Sequence, residues 1–177
     1  HLAEEYDKWS PEYVPELYED LFAYQPLTSD SEVLEIGIGT GQATTPILKT
    51  GCRLTAVELG DQLAALTRKK FSDYPDFTVV TSAFQDYESP VNHFDLIYSA
   101  AAFHWIPEEI GYPKVYALLK PGGVFARFAK HGNYRQSNEE LYEEIQKVYA
   151  QYMAYSAPTP PFTEVDAKRR SEISLRY

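Results

Sequence analysis

The sequence predicts an α/β fold, a mostly parallel sheet doubly wound with helices on both faces. Three observations predict it. Short apolar runs alternate with segments of helical periodicity, the first run passes straight into Gly37-Ile38-Gly39-Thr40-Gly41, and the second ends on an acid, Glu58. Parallel strands that alternate with helices need right-handed crossovers, and those crossovers cover the sheet on both sides.

Each element carries its own signal. Val14, Leu17, Tyr18, Leu21 and Phe22 recur at helical spacing as one apolar stripe, with Pro15 acceptable in a first turn. Val33-Leu34-Glu35-Ile36 is the first strand, and Gln42 to Thr50 reads as a helix that stops at Gly51. Pro46 suits that helix only near its start, where amides have no internal partner. Leu54 to Val57 forms the second strand, ending at Glu58, and a helix from about Asp61 to Phe71 follows. Phe77 to Val80, Phe94 to Tyr98 and Gly123 to Phe128 are the remaining strands, with helical segments expected between all of them. Ser137 and Glu140 make a capping-box pair that opens a last helix, striped by Leu141, Ile145, Val148, Tyr149 and Tyr152. Beyond it Ala157 to Pro161 is a loop. No antiparallel strand pair can be read between Tyr155 and Tyr177, where Ile173-Ser174-Leu175 is at most a fragment.

Composition narrows the class. The 177 residues fit one domain. Sixteen basic residues against 26 acidic ones leave a net charge of −10, which disfavours a nucleic acid partner. Between Glu4 and Glu32 the acidic residues face only Lys8, so the acidity reads first as a solvated N-terminal face. The single cysteine, Cys52, excludes an internal disulfide framework and a CxxC zinc site, and no histidine and carboxylate cluster has metal spacing. No apolar run approaches bilayer length and no signal-peptide core is visible, so no membrane partner is expected. A soluble cytoplasmic chain, monomer or dimer, is the expectation; His1 in place of an initiating methionine reads as a trimmed or tagged start.

The glycine turn has a mechanical meaning. Glycines permit positive φ and let a ligand approach the backbone, while the following helix start offers free amides. In an open parallel sheet this crevice lies at the C-terminal strand ends, where strand order reverses. Glu58 follows the first glycine by about 20 residues, the distance at which an acid reaches a ribose diol. Together these features point to a nucleoside-containing cofactor. Dinucleotide sites want GxGxxG, but here, counted from Gly39, Thr44 takes the place of the third glycine, and counted from Gly37, Gly41 comes one residue early.

Val33 to Gly41, Glu58, Thr81-Ser82-Ala83-Phe84, Phe94-Asp95-Leu96-Ile97, Phe103-His104-Trp105 and Leu119-Lys120-Pro121-Gly122-Gly123 together resemble the class I S-adenosylmethionine-dependent methyltransferases. The resemblance is to their small-molecule group, which includes trans-aconitate methyltransferase-like (methyltransferase type 11) proteins. It implies a Rossmann-like fold, with the family's closing antiparallel strands missing from this chain. Residues 1–31, which include Tyr6-Asp7-Lys8-Trp9-Ser10-Pro11, would be a helical segment covering the cofactor. Residues 32–130 would be the cofactor-binding core, and 131–177 a helix and an incomplete C-terminal part of the same single domain.

By the same resemblance the cofactor is S-adenosylmethionine, and its contacts include Tyr6 of the covering segment and the turn through Ile38. Gly37, Gly39 and Gly41 would pass beneath its methionine portion, and Glu35 would anchor its ammonium group or hold the turn. Glu58 would take both ribose hydroxyls, with Leu59 against the adenine and Ser82, Ala83 and Phe84 bordering it. Ser99 and Ala100 would lie near the sulfonium. Two positions depart from the pattern: Ser82 stands where many relatives carry aspartate, and Ser10 where many have arginine before the proline.

The implied reaction is methyl transfer to a small-molecule acceptor, through a carboxylate or hydroxyl oxygen. Such a displacement asks a protein mainly for proximity, alignment and exclusion of water. His104 would be a base or orienting group, or else a hydrogen-bonded residue packed on Trp105. Trp9, Tyr13, Phe103 and Trp105 would wall the acceptor site, or pack in the core. Tyr6 and Trp9, preceding the first apolar stripe, read as parts of a mobile lid. Two alternatives remain from other classes: a nicotinamide-dependent oxidoreductase on a similar sheet, and a non-catalytic module that binds S-adenosylmethionine. Ser99-Ala100-Ala101-Ala102 lacks the Asp/Asn-Pro-Pro-aromatic motif of amino methyltransferases. Tyr116 and Lys120 have the YxxxK spacing of short-chain dehydrogenases but read as helix surface ending in a turn.

Overall fold

The computed structural model describes residues 2–130 and 139–152, with 165 and 168 beyond them. The apolar runs become five parallel strands among the described residues: β1 (Glu32–Ile36), β2 (Arg53–Glu58), β3 (Phe77–Thr81), β4 (Phe94–Ala100) and β5 (Leu119–Phe128). Their order is β3-β2-β1-β4-β5, so the chain reverses its direction of travel between β1 and β4. That reversal opens a crevice above the C-terminal ends of those two strands. Val33 to Ile36 of β1 are all buried, as a strand covered on both faces requires.

Successive side chains of a strand point to opposite faces, and the two cores follow that alternation. Val33, Leu54, Ala56, Val79, Leu96 and Tyr98 face one side. There they meet Tyr18 of α2 (Pro15–Tyr24), Ile47 and Leu48 of α3 (Thr44–Leu48), and Ala64 of α4 (Asp61–Lys70). Leu34, Ile36, Val57 and Ile97 face the other side and meet Tyr112, Val115 and Leu118 of α5 (Glu108–Leu118). A further helix, α1 (Leu2–Trp9), precedes α2.

Several elements differ from the sequence reading. Helix α3 starts at Thr44 instead of Gln42, because Pro46 has no amide to donate to the Gln42 carbonyl. Between β3 and β4 there is one turn of 3-10 helix, Phe84–Asp86, in place of a helical crossover. The stretch that follows holds Pro90 and an Asn92 with φ of 52°, both poor helix residues. Val14 caps α2 from outside it and is 62% exposed, leaving Tyr18 as the buried member of the stripe. Strand β5 begins at Leu119, which pairs with Phe94. Lys120 to Gly123 then bulge out before Val124 pairs with Leu96. Lys120 therefore lies in the strand, its Nζ 2.7 Å from Asp95, and Tyr116 is exposed on α5.

The chain forms two compact units, residues 1–129 and 130–177. The second contains α6 (Glu139–Tyr152), on which Leu141 and Val148 are exposed. Ser137, the Tyr149 and Tyr152 side chains and the 157–161 loop lie outside the described residues. So does nearly all of the stretch between Tyr155 and Tyr177. Among the described residues no antiparallel strand closes the sheet, and no helix is long and apolar enough to cross a membrane.

Leu96 is fully buried at the centre of the sheet. Leu96→Ala is expected to lower unfolding free energy by about 2–5 kcal/mol, whereas Val14→Ala stays within about 0.5 kcal/mol. Urea denaturation of the two variants checks both values.

Candidate functional site

The site is built on the turn between β1 and α3. Gly37, Gly39 and Gly41 all have positive φ, at 72°, 59° and 83°. A side chain at Gly37 would collide with the Cβ of Ala102, and one at Gly39 would meet nothing within 4 Å. Gly37 is thus fixed by close approach to the loop after β4, while Gly39 stands open on the cleft side. The Ile38 side chain turns the other way, buried in the core beside Ala43, so only its backbone faces the turn's surroundings.

Glu58 closes the turn from the neighbouring strand. Its Oε2 accepts the Gly39 amide at 2.9 Å and its Oε1 accepts the Gly60 amide at 2.8 Å. Two backbone donors therefore hold the carboxylate at the cleft rim with its other lone pairs unused by them. Beside it Leu59 is 73% exposed. The Ser82 amide donates to the Glu58 carbonyl, and Ser82 and Ala83 are half-buried along the same edge. Phe84 is buried in the second core with Lys114 Nζ over its ring, so it supports this edge from below.

Glu35 lies underneath, 1% exposed. Its Oε2 accepts Thr44 Oγ1 at 2.8 Å and Tyr98 OH at 2.7 Å. These bonds tie both ends of the turn to β4. Burial pushes its carboxyl up to about 7, opposed by the hydrogen bonds from Tyr98 and Thr44 and assisted by the charge on Glu58. Burial likewise holds the Tyr98 phenol well above its ordinary range, with Glu35 adding to the rise.

The β4 side of the cleft is a sharp corner. Ser99, 1% exposed, donates its Oγ to the Ile36 carbonyl at 2.8 Å, and half-buried Ala100 follows it. Ala101 has φ of 57°, a left-handed conformation that costs a non-glycine residue about 1 kcal/mol or more. Its amide donates to the Phe128 carbonyl at 2.8 Å. Phe103 is buried in the second core, so it is a floor to the corner and not an open wall. His104 is exposed with its ring 4.9 Å from that of Trp105, which is 81% exposed. Tyr13 is half-buried, edge-on to Phe128 at 5.0 Å.

Helix α1 is tied to the turn by residues the sequence did not single out as a group. Asp7 Oδ1 accepts Lys70 Nζ at 2.6 Å and Gln42 Nε2 at 3.1 Å. Lys70 also donates to the Thr40 carbonyl at 2.8 Å, and Gln42 to Thr40 Oγ1. Tyr6 lies in α1, its side chain outside the described residues, and Trp9 at the end of α1 is 74% exposed. No pattern signal could have found this cluster, because its members come from three separate elements. Among the described residues no group of histidine, cysteine and acidic side chains could hold a metal ion.

Residues 33–123 match the family described as a methyltransferase domain. A malonyl-[acyl-carrier protein] O-methyltransferase of Ilyobacter polytropus is 30% identical over 104 residues, 57% of this chain and 38% of the relative. A ribosomal RNA small subunit methyltransferase A of Hahella chejuensis is 34% identical over 54% of this chain and 35% of its own length. A trans-aconitate 2-methyltransferase of Deinococcus radiodurans is 30% identical over 60% of this chain and 41% of its own. The chain thus spans less than half the length of each of these curated relatives. Among solved structures, a Methanococcus maripaludis protein described as a candidate S-adenosyl-L-methionine-dependent methyltransferase superposes with a TM-score of 0.70. At 16% identity, covering 98% of this chain and 82% of that one, it shares the fold.

Glu35 makes stability depend on pH. Its folded pKa, about 7, lies above the ordinary carboxyl value near 4.5, so the folded state holds more protons between the two. The stabilisation is therefore complete below about pH 4.5 and lost as pH rises through 7, a total of about 3 kcal/mol. Denaturation from pH 5 to 8 is expected to show this fall in the wild type, and Glu35→Gln to flatten it.

Proposed function

The chain belongs to the methyltransferase-domain family, and on that premise we propose that it transfers the methyl group of S-adenosylmethionine to an oxygen of a small-molecule acceptor. The observation that carries this reading is the carboxylate of Glu58, held between the Gly39 and Gly60 amides at the rim of a glycine turn. The residues fit the cofactor. Gly39 leaves open space where a side chain would stand, and Glu58 keeps acceptor capacity for a pair of hydroxyls.

Glu58 binds the ribose hydroxyls, with Leu59, Ser82 and Ala83 around the adenine. Gly37, Gly39 and Gly41 run beneath the methionine portion, and Ser99 and Ala100 border the reacting centre. When bound, S-adenosylmethionine supplies a methyl group already activated by its sulfonium charge. The protein's own contribution is to align the acceptor and exclude water. A carboxylate acceptor loses no proton; a hydroxyl passes one to a base, for which exposed His104 stands beside Trp105.

The names of relatives support acids as acceptors: one acts on malonyl-[acyl-carrier protein] and one on trans-aconitate. A third acts on ribosomal RNA, but a net charge of −10 favours a small acceptor here over a phosphate backbone. The oxidoreductase alternative meets a physical objection. The third glycine of a dinucleotide fingerprint would fall on Gln42 counted from Gly37, a side chain bonded to Asp7 and Thr40, or on Thr44 counted from Gly39, which is fully buried and bonded to Glu35.

Calorimetric titration tests the reading. The full chain is expected to bind S-adenosylhomocysteine and not NADH, and Glu58→Ala to weaken that binding by about tenfold or more, since two hydroxyl partners are lost. Binding of NADH alone, or an unchanged affinity in a folded Glu58→Ala variant, overturns it.

A further inference from the structure

We propose that Arg127 is the specificity-determining residue of the acceptor site, and that it grips a carboxylate of a small organic acid. This rests on the methyltransferase reading and adds to it the group by which the acceptor is recognised.

Arg127 is the next-to-last residue of β5, in register with Ser99 of β4. Its guanidinium carbon stands 5.0 Å above the Phe103 ring and 5.6 Å from that of Tyr112, and its Nη1 donates to Tyr112 OH. Both rings are buried, 3% and 5% exposed, so they make a fixed platform. Gly111 allows the platform to form, since a Cβ there would come 2.8 Å from the Phe103 ring. A planar cation lying on aromatic faces has its orientation set in advance, while the N–H groups along its edges stay available.

The other described arginines are committed elsewhere. Arg53 is bonded to Glu32 and to the Ser29 and Asp30 carbonyls, and Arg68 to the Val79 carbonyl and Thr81. Arg127 is exposed, and among the described residues no carboxylate lies against it. In a chain with ten more acids than bases, an oriented guanidinium lacking an acid partner is a vacancy for an anion. A carboxylate matches it through two parallel N–H···O bonds.

Its position is the second independent argument. The corner that carries Phe103 also carries Ala102, the residue against which Gly37 packs. The same corner is fastened to β5 by the Ala101 amide on the Phe128 carbonyl, one residue beyond Arg127. The guanidinium and the glycine turn are therefore supported by one short, strained segment. An acid held by Arg127 is positioned by the same backbone that positions the turn.

The test uses the full chain, labelled S-adenosylmethionine, and a panel of short mono- and dicarboxylic acids with their matched primary amides. The expected result is methyl transfer to one or more acids and not to the matching amides. Arg127→Gln is expected to raise KM for the accepted acid by about tenfold or more, with kcat and the affinity for S-adenosylhomocysteine little changed. Arg127→Lys, which keeps the charge but not the fork, is expected to fall between. Equal use of acids and amides, an unaltered KM in Arg127→Gln, or no transfer to any acid by a protein that binds S-adenosylhomocysteine overturns this proposal alone. Failure of the wild type to bind S-adenosylhomocysteine overturns the parent reading as well.

Discussion

A carboxylate buried out of reach of water fixes the shape of everything above it. Glu35 sits two residues before Gly37, and Thr44, which donates to it, sits three residues after Gly41. The glycine turn is thus a loop whose two ends are joined by one hydrogen bond, while Tyr98 ties the same oxygen to β4. Burying an acid is costly unless its lone pairs are met, and both donors approach within 2.8 Å. Three elements, β1, α3 and β4, therefore cannot shift independently. The crevice at the strand reversal inherits its dimensions from a pair of bonds beneath it.

The same economy operates at the rim. Glu58 spends one bond on each side of itself, on Gly39 and Gly60, so the acid that faces the cleft also stiffens the two loops that border it. Ala101 accepts a left-handed backbone so that Ala102 can touch Gly37, and its amide is repaid by the Phe128 carbonyl. Strain held in place by packing and hydrogen bonding on both sides is the usual form of a preorganised site. Helix α1 is attached differently, through Asp7, Lys70 and Gln42, which are polar and partly solvated. Such contacts are worth far less than buried ones and are screened by salt. Helix α1 is consequently held to the turn more weakly than β4 is.

The strands, the glycine turn and the acid at Glu58 were legible because each obeys a local rule: a continuous apolar run, a need for positive φ, a fixed spacing from strand to strand. The β3 to β4 crossover was misread because alternation suggested a helix, whereas Pro90 and Asn92 made an irregular path with one 3-10 turn. Phe84 is expected to border the adenine and Phe103 to wall the acceptor site or pack in the core; both are buried. Sequence gives an aromatic residue's place along the chain, but not which of its faces the tertiary packing leaves open. Arg127 escaped notice for a related reason. It sits in an apolar strand, where a single charge reads as an outward-facing residue, and its meaning comes only from Phe103 and Tyr112, which are far from it in sequence.

The proposed acceptor grip and the Glu58 carboxylate are opposite in electrical sign and stand on different strands. The β1–β2 side presents an acid, Glu58, suited to hydroxyl donors. β5 carries a guanidinium suited to an anion, over the Phe103 ring. On that proposal a ligand's hydroxyls go to Glu58 and an organic acid to Arg127, and an acid placed at Glu58 would set like charge against like. Selectivity of this kind comes from repulsion of the wrong arrangement as much as from attraction of the right one. Arg53, Lys70 and Lys120 are each paired with an acid of their own, which removes three competing positive sites from a surface that is otherwise strongly negative.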